Sequence, residues 1–313
     1  MNPEFPIYII SKGRADSRLT SKALESMNVP YFIVVEDIEY LEYAEVIDPE
    51  KILILPNRYL INYDTFDKEG IQKSVGPGAA RNFCWDHSIK NGYSHHWVMD
   101  DNLDGFIRLN RNERHPVDSG TIFKCAEDFV LRYNNIAISG FEYRFFAGGS
   151  RRKKPPFRLN TRIYSCLLIR NDISYRWRGR YNEDTDLSLR VLKDGWCTVL
   201  FQAFLCNKIK TQQLKGGNTA EFYAHEGTKN KSAMLVDMHP DLSREAVRYG
   251  RDHHHVNYSV FKQKLNKKSV LQKYNKVNNY GMVLKKLLAG KKHKMATAVN
   301  DLKFKSLINY EKN

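Results

Sequence analysis

The stretch His96-Trp97-Val98-Met99-Asp100-Asp101-Asn102 carries a short apolar run straight into two carboxylates and an amide. A run of that length reads as a buried strand, His96 to Met99. In an open α/β sheet, ligands collect beyond the carboxyl ends of the strands, so the three polar residues are expected to face a crevice. Hard oxygen donors in such a place suit Mg2+ or Mn2+. The plain alternative makes Asp101 or Asn102 the cap of a following turn.

Outward from this run, the first half of the chain alternates short apolar segments with helical patterns, as βα units around a mostly parallel sheet do. The expected strands are Ile7 to Ile10, Tyr31 to Val35 and Ile52 to Leu55, with helices over Thr20 to Met27 and Gly78 to Ile89. Beyond Phe106 the texture becomes strands and loops: Ile136 to Ser139, Tyr143 to Ala147, Tyr164 to Ile169 and Cys197 to Phe204 as strands. One further helix runs from Asp184 to Lys193 and stops at Gly195. Its acidic first turn suits the helix dipole. The expected division is residues 1–258 as an α/β domain, with 1–105 as its nucleotide-binding half and 106–258 as its acceptor half, and 259–313 as a lysine-rich helical extension.

The net charge of +15 concentrates in that extension, where 14 lysines face Asp301 and Glu311. Lysines interleaved with Leu284, Leu287 and Leu288 suit a polyanion or an anionic membrane surface, or equally a solvated face. No stretch approaches the ~20 apolar residues of a membrane span, and the first residues do not resemble a secretory signal, so a cytoplasmic location is expected. Five cysteines without a CxxC pair suggest neither disulfides nor zinc. His253, His254 and His255 are adjacent and point different ways, which argues against a shared ion.

Other stretches carry groups suited to phosphate or to proton transfer. Ser11-Lys12-Gly13-Arg14 follows the first strand, with Gly13 permitting a tight turn and the basic residues in reach of phosphate. Gly76-Pro77-Gly78-Ala79-Ala80-Arg81-Asn82 is a glycine-rich helix start, where backbone N–H groups and the dipole favour an anion. Arg180-Tyr181-Asn182-Glu183-Asp184-Thr185-Asp186 places three carboxylates at the mouth of a helix, either as general base or as capping acids. Lys215-Gly216-Gly217-Asn218-Thr219 and the lone His225 lie in loop-like sequence.

In this order and spacing, the stretches Pro6 to Arg14, Gly78 with Arg81-Asn82, His96 to Asn102, Tyr181 to Leu187 and Lys215 to Thr219 resemble the TET-associated glycosyltransferase family of bacteriophages. The resemblance implies a GT-A, Rossmann-like fold and a UDP-sugar donor. The donor would be held by Ser11, Lys12, Arg14, Glu36, Gly78, Arg81, Asn82, Asp100, Gly217 and Asn218. It further implies Mn2+ or Mg2+ at Asp100, Asp101 and Asn102, with His225 as a further contact, and Glu183 or Asp184 as the base of an inverting transfer. The implied acceptor is double-stranded phage DNA carrying 5-hydroxymethylcytosine, the implied sugar glucose or arabinose, and the implied setting the host cytoplasm. The cluster reads Asp-Asp-Asn where the common metal motif is Asp-X-Asp.

An enzyme acting on duplex DNA must neutralise phosphates. Arg151, Arg152, Lys153, Lys154, Arg178 and Arg180 are the expected DNA contacts, with Tyr143, Phe145, Phe146, Phe157 and Trp177 interleaved for stacking. Because a 5-hydroxymethyl group already projects into the major groove, base flipping is optional at this stage. Two other functions fit the same residues: transfer to a surface polysaccharide or lipid-linked sugar, and a non-catalytic nucleic-acid-binding protein.

Overall fold

The computed structural model describes residues 1–67, 75–147, 155–209, 229–248, 251–268, 277 and 281–283. The chain divides into two compact units, Met1–Lys267 and Lys268–Asn313. In the first, the elements run β1 (Ile7–Ile10), α1 (Leu19–Ser26), β2 (Phe32–Val35), α2 (Tyr40–Ala44), β3 (Ile52–Ile54), α3 (Asn57–Ile61), α4 (Gly78–Lys90) and β4 (His95–Asp100). There follow β5 (Leu103–Asn110), β6 (Glu113–Pro116), α5 (Thr121–Val130), β7 (Ile136–Tyr143), β8 (Phe157–Leu159), β9 (Cys166–Arg170), α6 (Glu183–Lys193) and β10 (Cys197–Lys208). Helix α7 (Lys229–Met238) and the hairpin β11 (Ser243–Arg248) and β12 (Arg251–Val256) complete it.

The central sheet has ten strands in the order β3-β2-β1-β4-β9-β7-β10-β5-β6, with β8 beside β10. Its first four members are all parallel, as the βα alternation requires. Past β4 the sheet is mixed: β9 is antiparallel to both β4 and β7, β7 is parallel to β10, and β5 and β6 return antiparallel. This is the α/β architecture expected of a GT-A fold. Successive residues of β4 point to opposite faces. Trp97 and Met99 join one buried layer with Phe123 of α5 and Phe141 of β7, while Val98 joins the other with Trp85 of α4 and Leu187 of α6. The Trp97 ring meets Phe123 and Phe141 edge-on, at 5.3 and 5.4 Å.

Several boundaries differ from the sequence reading. The expected strand Ile136 to Ser139 continues to Tyr143 as β7, and in place of the expected strand Tyr143 to Ala147 a 3-10 turn follows at Arg144–Phe146. Gly140 looks like a break but is a close approach, since a Cβ there would lie 2.1 Å from the Cys166 carbonyl oxygen. Strand β10 extends past Phe204 to Lys208 because it pairs β7 and β5 at once, with register shifts that absorb the extra length. Helix α5 was not marked by the pattern; Glu127 on it is fully buried and accepts N–H bonds from Glu4, Phe5 and the Trp97 indole.

Candidate active site

The register of the parallel strands assembles the site. Ile10 pairs with Asp100, which puts Ser11, the residue after β1, beside Asp101, the residue after β4. The Ser11 hydroxyl donates to Asp101 Oδ2 at 2.9 Å, and Arg14 donates to Asp101 Oδ1. Tyr43 extends the chain: its hydroxyl lies 2.6 Å from Ser11 Oγ and accepts the Arg14 N–H at 3.1 Å. Thr20 ties α1 to the same turn, donating to the Asp100 carbonyl at 2.6 Å and accepting the Leu103 N–H at 2.9 Å. Burial raises the Asp101 carboxyl above its ordinary value, against the pull of Arg14 and the Ser11 hydrogen bond.

The centre of the site is Arg81, one turn into α4 and only 2% exposed. Its Nη2 donates to Asp100 Oδ1 at 2.8 Å, and its Nη1 reaches Glu183 Oε1 at 3.1 Å and also Asp184. The guanidinium lies over the Trp177 ring, 4.6 Å from its centroid. On the other side of Asp100, Lys208 at the end of β10 donates to Oδ2 at 2.7 Å and to Ser165 Oγ at 2.7 Å. Ser165 in turn donates to Asp100 Oδ2 at 2.5 Å and lies 2.7 Å from the Tyr143 hydroxyl.

Asp100, Glu183 and Asp184 thus gather on Arg81 and Lys208, and Asp100 and Asp184 shift in opposite directions. Burial alone would raise the Asp100 carboxyl, but Lys208 and Arg81 hold it well below the usual range. Asp184 goes the other way, pushed up to about 7 by burial and by the like charges of Glu183 and Asp100, against Arg81 and Lys208. A carboxyl with that value exchanges protons near neutral pH.

The same arrangement bears on the expected metal. Both oxygens of Asp100 are taken by Arg81 and Lys208, and both oxygens of Asp101 by Arg14 and Ser11. The one open oxygen is Asn102 Oδ1, buried without a partner. Among the described residues no group of three or more His, Cys, Asp or Glu is placed to hold an ion. These residues do not build the cage that Asp100, Asp101 and Asn102 suggest in sequence. His225 lies outside the described residues, as do Gly217 and Asn218.

A cavity of about 630 Å³ opens onto this cluster. Ser11, Lys12, Arg14, Glu36, Asp100, Asp101, Asn102, Arg81, Glu183 and Asp184 all line it, and so do Lys208 and Arg180. Lys12 and Glu36 pair at 3.0 Å on its wall. Between them and α4 the lining is apolar, from Ile10, Val34, Leu55, Leu60 and Val75. Gly78 serves packing, since a Cβ there would strike the Tyr63 ring, whose hydroxyl is 1.8 Å away. Asn82 is a clasp on the backbone of Trp177, accepting its N–H at 2.9 Å and donating to its carbonyl at 3.0 Å.

The arginines expected on a DNA-facing surface divide. Arg178 is spent on the fully buried Asp186, which also binds Arg190 and His239. Arg180 is 4% exposed and paired with Asp67 at 3.6 Å. Both side chains are therefore tied to carboxylates inside the fold, Asp186 eight residues beyond Arg178 and Asp67 in a distant stretch of sequence. Arg151, Arg152, Lys153 and Lys154 lie outside the described residues, as does most of 259–313. Of the aromatics, Trp177 is buried beneath Arg81 and Phe157 packs on Phe129 at 5.0 Å, whereas Phe145 and Phe146 are exposed and Tyr143 lines the cavity. No helix of the described residues is long and apolar enough to cross a membrane.

Lys208, Ser165 and Tyr43 were missed in sequence. Lys208 ends β10, Ser165 immediately precedes β9 and Tyr43 lies on α2, so only the tertiary fold brings them to Asp100 and Asp101. The sequence pattern of the TET-Associated Glycosyltransferase family matches residues 5–217, from just before β1 to just beyond β10. No curated protein matches the chain.

Proposed function

The chain belongs to the TET-associated glycosyltransferase family, and on that premise we propose that it moves a sugar from a UDP-sugar to the hydroxymethyl oxygen of 5-hydroxymethylcytosine in double-stranded DNA. The observation that carries this reading is the convergence of Asp100, Glu183 and Asp184 on Arg81 and Lys208 at the carboxyl ends of parallel strands, on the floor of one cavity. The apolar lining near Ile10, Val34 and Leu55 suits a flat base, with Lys12 and Glu36 at its edge. Lys208 and Arg14 are within the same cavity as cations for a diphosphate.

In the proposed step the acceptor oxygen attacks the anomeric carbon from the face opposite the diphosphate. The bond from that carbon to the phosphate oxygen breaks, UDP leaves with the electron pair, and the acceptor proton passes to Asp184. A single displacement inverts the anomeric carbon. The raised pKa of Asp184 supports its role, because a base poised near the working pH accepts the proton without being permanently protonated or inertly charged. Burial raises that value first, Glu183 and Asp100 add to it, and Arg81 holds all three carboxylates. Lys208 faces the charge that grows on the departing phosphate, where a pre-placed cation is worth most. No step is routed through a divalent ion.

The sugar, glucose or arabinose, is set by the donor that the cavity accepts. Mass spectrometry of nucleosides from hydroxymethylated DNA treated with the protein and a panel of UDP-sugars tests the proposal. A mass increment on 5-hydroxymethylcytosine with one UDP-sugar is the expected result. No increment with any of them, despite UDP binding, overturns it.

A further inference from the structure

A second cavity, of about 260 Å³, adjoins the first and shares Tyr143, Phe146, Arg162 and Tyr164 with it. The far wall is polar and lies inside the sheet: Glu142 from β7 and Gln202 from β10, with Thr161 and Arg158. Gln202 is only 5% exposed, and its amide oxygen is buried with no hydrogen-bond partner. An unpaired buried acceptor is costly, and native proteins keep such groups chiefly where a ligand or water completes them. Glu142, also buried, accepts the Tyr143 N–H at 3.0 Å. Two acceptors thus stand inside a small aromatic-walled cavity whose other side carries guanidinium donors.

We propose that this cavity receives the target pyrimidine, turned out of the duplex. Gln202 and Glu142 would accept from its exocyclic amine, and Arg162 and Arg158 would donate to its ring nitrogen and carbonyl. The inference rests on the DNA reading above and names how that substrate is held. It follows from depth: the Asp184 side chain is 13% exposed on a cavity floor, where a base still stacked in B-form DNA cannot carry its hydroxymethyl oxygen. The shared wall leads toward that carboxyl: Tyr164 lines both cavities, Asp184 lines the first, and the Tyr164 hydroxyl lies 3.2 Å from Oγ1 of Thr185, the residue after Asp184.

The mouth carries the matching device. The turn Arg144–Phe146 presents Phe145 and Phe146 at 59% and 49% exposure, their ring centroids 4.3 Å apart, with Phe145 stacked on Tyr143. Solvent-facing phenylalanines beside a base-sized cavity suit insertion into the gap a flipped base leaves in the stack. The polar pattern also predicts a preference. Cytosine offers an amine where uracil offers a carbonyl oxygen, and that oxygen would meet Gln202 Oε1 and Glu142 acceptor to acceptor.

The test uses the full chain with duplexes carrying one 5-hydroxymethylcytosine or one 5-hydroxymethyluracil, each opposite its partner and next to 2-aminopurine. Expected results are a several-fold rise in 2-aminopurine fluorescence on binding, and transfer to hydroxymethylcytosine at least about ten-fold faster than to hydroxymethyluracil. Gln202→Leu and Glu142→Gln should each narrow that ratio while UDP binding stays unchanged. The ratio is insensitive to the fraction of protein that folds. Transfer to hydroxymethylcytosine without a fluorescence rise, or with ratios unchanged in both variants, overturns the flipped-base site and leaves the transferase reading standing. A wild-type protein that binds UDP yet transfers to neither duplex overturns the DNA reading, and this site with it.

Discussion

The ammonium of Lys208 stands 2.7 Å from Oδ2 of Asp100, so the carboxylate that ends β4 is held by a cation delivered from the other half of the sheet. Asp100 lies on a strand of the parallel half, and Lys208 on the strand that pairs β7 and β5. In the proposed reaction the pair stands where the sugar diphosphate and the acceptor would meet. It also holds a seat that the sequence alone gives to a metal ion.

Replacing Lys208 by Met should therefore damage chemistry more than folding. Asp100 keeps its bond to Arg81, so the fold should survive, while the phosphate charge of the proposed step loses one pre-placed cation. Transfer is expected to fall by about 100-fold at saturating donor, the scale of removing one pre-placed charge stabiliser. Lys208→Arg should recover part of it. Equal rates for Lys208→Met and wild type would remove Lys208 from the mechanism.

The same geometry predicts how the enzyme responds to chelation. With the Asp100 oxygens on Arg81 and Lys208 and the Asp101 oxygens on Arg14 and Ser11, UDP binding is expected to persist in EDTA. A thermal shift with UDP measures it, since a ligand at about 100 times its dissociation constant stabilises by about 2.7 kcal/mol. A shift lost in EDTA and restored by Mn2+ would mean that Asp100 exchanges Lys208 for the ion.

Asp184 predicts the pH profile. As a base it works only when ionised, and its carboxyl is pushed up to about 7 by burial and by Glu183 and Asp100, against Arg81 and Lys208. The transfer rate should rise as pH increases through about 7. Glu183→Gln removes one of the like charges, so the rise should move to lower pH. Asp184→Asn should abolish transfer and retain UDP binding. A flat profile between pH 5 and 8 in the wild type, with chemistry rate-limiting, would exclude Asp184 as the base.

The parts of this site that were legible in sequence are those written as contiguous motifs. The apolar run into Asp100 gave its strand, the glycines before Arg81 gave its helix, and Glu183 with Asp184 sat in an acidic first turn. What joins them was not legible. Lys208 follows Cys206 and Asn207 at the end of a twelve-residue strand, and nothing local marks it; sheet order and two register shifts deliver it. The partners of Arg178 and Arg180 were not legible for the same reason, because only the fold brings Asp186 and Asp67 against them. Gly140 falls just past the expected end of a strand at Ser139, yet it lies within β7 and lets two strands approach closely.

Asp184 and Asp186 share one helix turn and should behave oppositely when neutralised. Asp186 is fully buried between Arg178 at 3.1 Å, Arg190 at 3.0 Å and His239 at 3.0 Å, and these partners hold its carboxyl below the ordinary value despite burial. Asp186→Asn leaves two arginines short of their counter-charge, and breaking a buried pair of this kind costs about 3–5 kcal/mol. The melting temperature should drop well below that of the wild type. For Asp184 the sign reverses. Its folded pKa is raised, so the neutral form is favoured by the fold, and stability present at low pH is lost as pH climbs through about 7. Asp184→Asn keeps the neutral state at every pH. It should melt at or above the wild type at pH 8 and close to it at pH 5, and a lower melting temperature at pH 8 would show that Asp184 is held there as a structural anion rather than as a base.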